Sequence, residues 1–110
     1  MRKVFSVFAL MLLVGLQATA AAADIVRGKI IKTEGHVSPN CRTVTFKRSD
    51  NGQIMLFRIA ATGQEDGVLA VTLTALTTGL DVAIAFEQGQ TSGCGTEPRI
   101  IFITLIAAGY

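Results

Sequence analysis

The hydrophobic pattern changes period several times along the chain, and each change marks an element. From Val4 to Leu16 the residues are almost all apolar. Met1-Arg2-Lys3 precedes this run and small residues follow it, with Ala18-Thr19-Ala20 and further A-x-A choices up to Ala23. A basic start, a short apolar stretch and small residues form the three-part pattern of a secretory signal peptide, expected over 1–23 with cleavage within 20–23. Thirteen residues fall short of the roughly 20 that span a bilayer. No Cys follows the run, so no lipoprotein anchor is expected, and no membrane association once the leader is cleaved.

Beyond Ala23 the period shortens to two. Asp24 to Thr33 is β-branched with interleaved charge and reads as a first strand. Gly35 to Asn40 is turn material broken by Pro39. Cys41 to Arg48 alternates, with Val44 and Phe46 opposed to Thr43, Thr45 and Lys47, and reads as a second strand. Ser49-Asp50-Asn51-Gly52 is a hairpin signal, because Asn-Gly tolerates positive φ. Gln53 to Ile59 is a third strand. The period then lengthens. Leu69, Leu73 and Leu76 are spaced i, i+4, i+7, and Gly79 stands where a C-terminal cap belongs, so Gly67 to Thr78 is expected to be a helix. Its β-branched residues leave a strand as the competing reading. Leu80 to Phe86 alternates as a fourth strand. Glu87 to Pro98 is a Gly-rich loop, and Arg99 to Ile106 is a fifth strand. The expected core is Val44, Phe46, Phe57, Leu69, Leu73, Leu76, Val82, Ile84, Phe86 and Phe102.

Composition adds the compartment and removes several functions. Without residues 1–23, eight basic and eight acidic side chains remain in 87 residues. A chain with no net charge has no global field to draw it to nucleic acid or anionic lipid. Its size excludes a multidomain enzyme or a large cofactor fold. Cys41 and Cys94 both lie after the leader, and an even cysteine count in an exported small domain most often means a disulfide. Such a bridge would close 54 residues and contribute about 4 kcal/mol by chain entropy. The alternatives are free thiols or a metal site with His36, which lacks any recognised ligand spacing.

Three strands, a helix and two strands follow the order of the OB-fold, a five-stranded Greek-key barrel with one helix between strands three and four. The stretch V-L-A-V-T-L-T-A-L-T-T-G-L-D-V-A-I, followed by T-S-G-C-G-T-E-P-R-I-I-F-I, resembles small secreted bacterial proteins. These in turn are similar to the B subunit of subtilase-type A-B toxins. The resemblance covers about a third of the chain that follows the leader. It implies an OB-fold, a ring of identical subunits and glycan binding, and carries over no glycan-contacting residue. The expected partners are therefore a glycan or protein ligand and further copies of this chain. A monomeric periplasmic protein-interaction or inhibitor domain is the alternative.

Catalytic chemistry finds little support in the sequence. His36 has no predictable acidic neighbour and reads as a loop residue. Cys94 would need a base and an orienting group to act as a nucleophile. Glu34, Asp50, Glu65, Asp66, Asp81, Glu87 and Glu97 are scattered without an acid–base pairing. Gly93-Cys94-Gly95 lacks the Lys and following helix of a phosphate loop. Glu97 and Arg99 flank Pro98 and suggest a local ion pair, or a polar ligand contact. The four Phe after the leader fall in strand patterns, which leaves no stacking surface for nucleic acid. No cofactor, metal or catalytic residue is expected, and the chain reads as a binding protein rather than an enzyme. One feature exceeds the needs of a monomer. Ile54-Met55-Leu56-Phe57 and Ile100-Ile101-Phe102-Ile103 are apolar on both faces, whereas a small barrel buries only one.

Overall fold

The computed structural model describes residues 23–37, 41–63 and 65–110. The leader and its cleavage site lie outside them, as do Ser38, Pro39 and Asn40 of the first turn. Five strands form one antiparallel sheet: β1 (Asp24–Gly35), β2 (Arg42–Arg48), β3 (Ile54–Ile59), β4 (Val82–Phe86) and β5 (Phe102–Leu105). Helix α1 (Asp66–Thr78) joins β3 to β4. The order across the sheet is β3-β2-β1-β4-β5. Among the described residues no helix is long and apolar enough to cross a membrane.

β1 holds the sheet together because it is long enough to pair twice. Asp24 to Gly28 lie against β4, and Gly28 to Gly35 against β2. The change of neighbour falls on Gly28, where any side chain would enter β2: an added Cβ would lie 2.0 Å from the Lys47 carbonyl oxygen. A second irregularity follows at Ile31, where the register with β2 slips. Alternation from Val26 puts Ile30 inside and Ile31 outside, and the bulge then reverses the sides of the residues that follow, so that Lys32 and Glu34 align with the outward Thr45 and Thr43.

The hairpin β2–β3 closes as Ser49-Asp50-Asn51-Gly52 suggests, though Gly52 alone takes a positive φ. Asn51 Oδ1 accepts the Gln53 amide, and Arg48 pairs with Asp50 across the turn. β3 then meets the far end of the chain. The Arg58 amide donates to Pro98 O and the Ile100 amide to Arg58 O, both at 2.9 Å, in a parallel bridge between Arg58 and Arg99.

The core is aromatic and tight. Phe57 meets Phe46 edge-on at 5.9 Å and Phe86 at 5.0 Å between ring centres. Val44, Ile59, Val82, Ile84 and Ile100 surround them. Of the expected core, Val44, Phe46, Phe57, Val82, Ile84 and Phe86 are buried, and Leu69 packs against them part-buried.

Leu73 and Leu76 do not join the core; they are 45% and 38% exposed. The helix instead turns Thr72 and Ala75 inward, with Val68 and Leu69 beside them. With three rings already filling the interior, the small side chains fit where leucines would overpack. The Thr72 hydroxyl donates to Val68 O, so its burial leaves no unsatisfied donor. Gly79 caps the helix in the left-handed conformation, its amide donating to Ala75 O.

Phe102 is likewise outside, 48% exposed. The irregular entry between the Arg99 bridge and β5 leaves Ile101 and Phe102 both facing out, and Ile100, Ile103 and Leu105 take the inner positions. Phe102 is paired with Ala85, which is paired with Ile25 on the other side. Ala85, paired between these two outward residues, has no exposed surface.

Candidate binding cleft

Loop 87–98 is pinned to the outer face of β2 and β3 in two places. The first is covalent: Cys41, buried at the start of β2, is bonded to Cys94, with Cα atoms 6.1 Å apart. Free thiols, a Cys94 nucleophile and a metal site using both cysteines are thereby set aside. The second tie is ionic. Arg58 Nε donates to Glu97 Oε2 at 3.2 Å in a partly buried pair. The sequence suggested a local pairing of Glu97 with Arg99. The structure turns Glu97 back onto β3, which the parallel bridge at Arg58 brings alongside the loop.

Beside the Arg58–Glu97 pair lies a cleft of about 220 Å³, lined by Lys32, Glu34, Thr43, Thr45, Leu56 and Arg58 among others. Strand pairing fixes its floor. Glu34, Thr43 and Arg58 form one cross-strand row, and Lys32, Thr45 and Leu56 the next. A neighbouring hollow of about 410 Å³ is lined by the disulfide, His36, Gly93, Gly95 and the same Arg58. Gly95 keeps Arg58 accessible to Glu97: an added Cβ would meet Glu97 Oε2 at 2.7 Å.

The charges of the cleft largely neutralise one another. Lys32 pairs with Glu34, and His36 Nε2 lies 3.6 Å from the other Glu34 oxygen. The hydrogen bond from Lys32, and then its charge, hold Glu34 below the ordinary carboxylate value. Glu97 is held low by its own backbone amide and then by Arg58. Both carboxylates are therefore ionised acceptors at neutral pH. Glu34 stands two positions before His36, and in extended chain such residues share a side, so this neighbour was legible in the sequence although His36 was read as having none. No group of three or more His, Cys, Asp or Glu side chains suited to a metal occurs among the described residues.

The cleft thus offers hydroxyls, carboxylates, an ammonium, a guanidinium and the Leu56 side chain, and Phe57, the one ring among its described lining residues, is fully buried. Phe46 and Phe57 belong to the core, so nothing here stacks on a base. Another charged group sits at the opposite end of the sheet. Asp81 receives Arg27 at 3.2 Å and Lys29 at 3.0 Å, and Arg27 also donates to the Tyr110 carbonyl, which fastens the tail to β1. Compared with known proteins, the chain matches no family profile and no curated sequence.

Proposed function

We propose that this chain is an exported binding module of the OB-fold type that holds a glycan or a protein segment in the cleft beside the Arg58–Glu97 pair, at the edge of loop 87–98, and performs no chemistry. The observation that carries the reading is the double pinning of that loop over the outer face of β2 and β3. OB-folds place oligosaccharides and oligonucleotides on this face, between the loop after strand one and the loop before strand five. The strand order and the parallel bridge between Arg58 and Arg99 support that assignment. The exposed rings Phe102 and Tyr110 are not among the residues that line the cleft, so base stacking finds no platform there, and the hydroxyls and paired charges suit a polar sugar or peptide. The leader pattern and the disulfide support export to an oxidising compartment.

The test is a glycan array followed by an NMR titration with any sugar retained. Amide shifts centred on Thr43, Thr45 and Leu56 are expected. No bound sugar at millimolar concentration removes the carbohydrate version. The outward row of Ile25, Ala85 and Phe102 favours a protein ligand as the second reading. A periplasmic pull-down returning one partner, lost in Phe102→Ser, would establish it.

A further inference from the structure

The free edge of the sheet at β3 is a docking strand, and we infer that its occupant is a second copy of this chain paired β3 to β3 about a twofold axis. The direction of the backbone groups carries the inference. In a strand the N–H and C=O of alternate residues point to the same side. Both groups of Arg58 point away from β2, because they bond to the segment 98–100. Gln53 points the other way, its carbonyl accepting the Arg48 amide. Ile54 and Leu56 share the parity of Arg58, so their amides and carbonyls face outward, where β3 ends the sheet. Among the described residues, Arg58 alone of this series has a backbone partner there.

Exposed edges in natural sheets are blunted by Pro, Lys, bulges or a covering element. Ile54 to Phe57 carries none of these, and the side chains of Ile54 and Leu56 are 51% and 52% exposed. The edge is also its own complement. A twofold axis at Met55 sets Ile54 opposite the partner's Leu56 and Leu56 opposite the partner's Ile54. Each pair then exchanges both backbone bonds, and four apolar side chains come together on one face. No charged side chain lies between Gln53 and Phe57, so two copies meet without like-charge repulsion. The ladder has a natural length. It stops at Arg58, whose groups are already engaged, and the partner's strand leaves the sheet at its own hairpin turn.

So short a contact falls below the roughly 1,600 Å² of a stable standard interface, and the dimer exchanges with monomer on dilution. Sedimentation equilibrium of the mature protein between about 10 µM and 1 mM is expected to fit monomer–dimer, and the Leu56 amide should gain hydrogen-exchange protection with concentration. Leu56→Pro removes one outward N–H without touching the β2 ladder, and Leu56→Lys adds charge at the axis. Both are expected to remain monomeric with an unchanged far-UV spectrum, whereas Leu73→Lys on the helix should still dimerise. A monomer throughout the range, a pentamer, or dissociation by Leu73→Lys alone would each overturn the inference. None of these outcomes depends on the cleft holding a ligand.

Discussion

Adding a single methyl group at Gly28 tests the idea that β1 is the shared strand of this sheet. In Gly28→Ala the new Cβ would lie 2.0 Å from Lys47 O, 2.8 Å from Lys47 C and 2.7 Å from Phe46 Cζ. Two of these atoms are backbone and the third belongs to a core ring, so no flexible side chain can move aside. Relief requires opening the ladder near Gly28 and Arg48, or displacing Phe46 from its contact with Phe57. Overpacking a core usually costs about 1–3 kcal/mol, and a backbone clash belongs at or above the top of that range. A chain of this size has roughly 5–10 kcal/mol of total stability. At about 4–8 °C per kcal/mol, the melting temperature should fall by about 12 °C or more. Gly35→Ala is the control. It lies on the same strand, meets nothing within 4 Å and should change stability by less than about 0.5 kcal/mol. Urea unfolding followed by circular dichroism measures both. If Gly28→Ala lost less than about 1 kcal/mol, β1 would not run as close to β2 as described.

Three further expectations follow from the packing and the charges. Reducing the Cys41–Cys94 bond, or replacing both cysteines with Ser, should lower stability by about 2–4 kcal/mol, and equal melting curves with and without reductant would contradict it. Leu73→Ala should cost less than about 1 kcal/mol, whereas Ala75→Leu should cost about 1–3 kcal/mol by overpacking; the reverse order in chemical denaturation would restore the leucine face to the core. Because the Glu97 pKa is depressed in the fold, its pairing with Arg58 stabilises the loop above the ordinary value of 4.5 and is lost as the pH falls through the lower folded value. Hydrogen-exchange protection across 93–98, corrected for the pH dependence of intrinsic exchange, should therefore fall below about pH 4.5 in the wild type and be insensitive to that step in Glu97→Gln.

The element order was legible because each stretch agrees with itself: alternation in β2 and β4, turn residues at 49–52, a leucine spacing that ends at Gly79. The disulfide followed from compartment and count. The helix face was misread for a physical reason. Spacing shows which residues share a side, and only the volume inside shows which side is wanted; three Phe rings left room for Ala75 and Thr72 and none for Leu73. Phe102 was misplaced because an uninterrupted apolar stretch does not show which residues face in, and the irregular entry to β5 leaves Ile101 and Phe102 both outward. Of the two doubly apolar stretches, Ile54, Leu56, Ile101 and Phe102 do face outward, as the one-face argument requires. The cleft itself was hidden. It depends on Glu97 reaching Arg58 across 39 positions, and no local pattern announces that.

The double pairing of β1 also sets an order of assembly. Its ladder with β2 and the β2–β3 hairpin join near neighbours in the chain, but its ladder with β4 joins Asp24 to Phe86. Local pairings form first, since distant ones must await closure of a long loop. In a chain that emerges amino end first, the meander of β1, β2 and β3 is complete while β4 is still to come. Val44, Phe46 and Phe57 then lie on an uncovered sheet face, beside an edge at β3 with nothing to blunt it. The interval before β4 docks is when the chain is most exposed to aggregation. In pulse-labelled hydrogen exchange, the amides of β2 and β3 should become protected before those of β4.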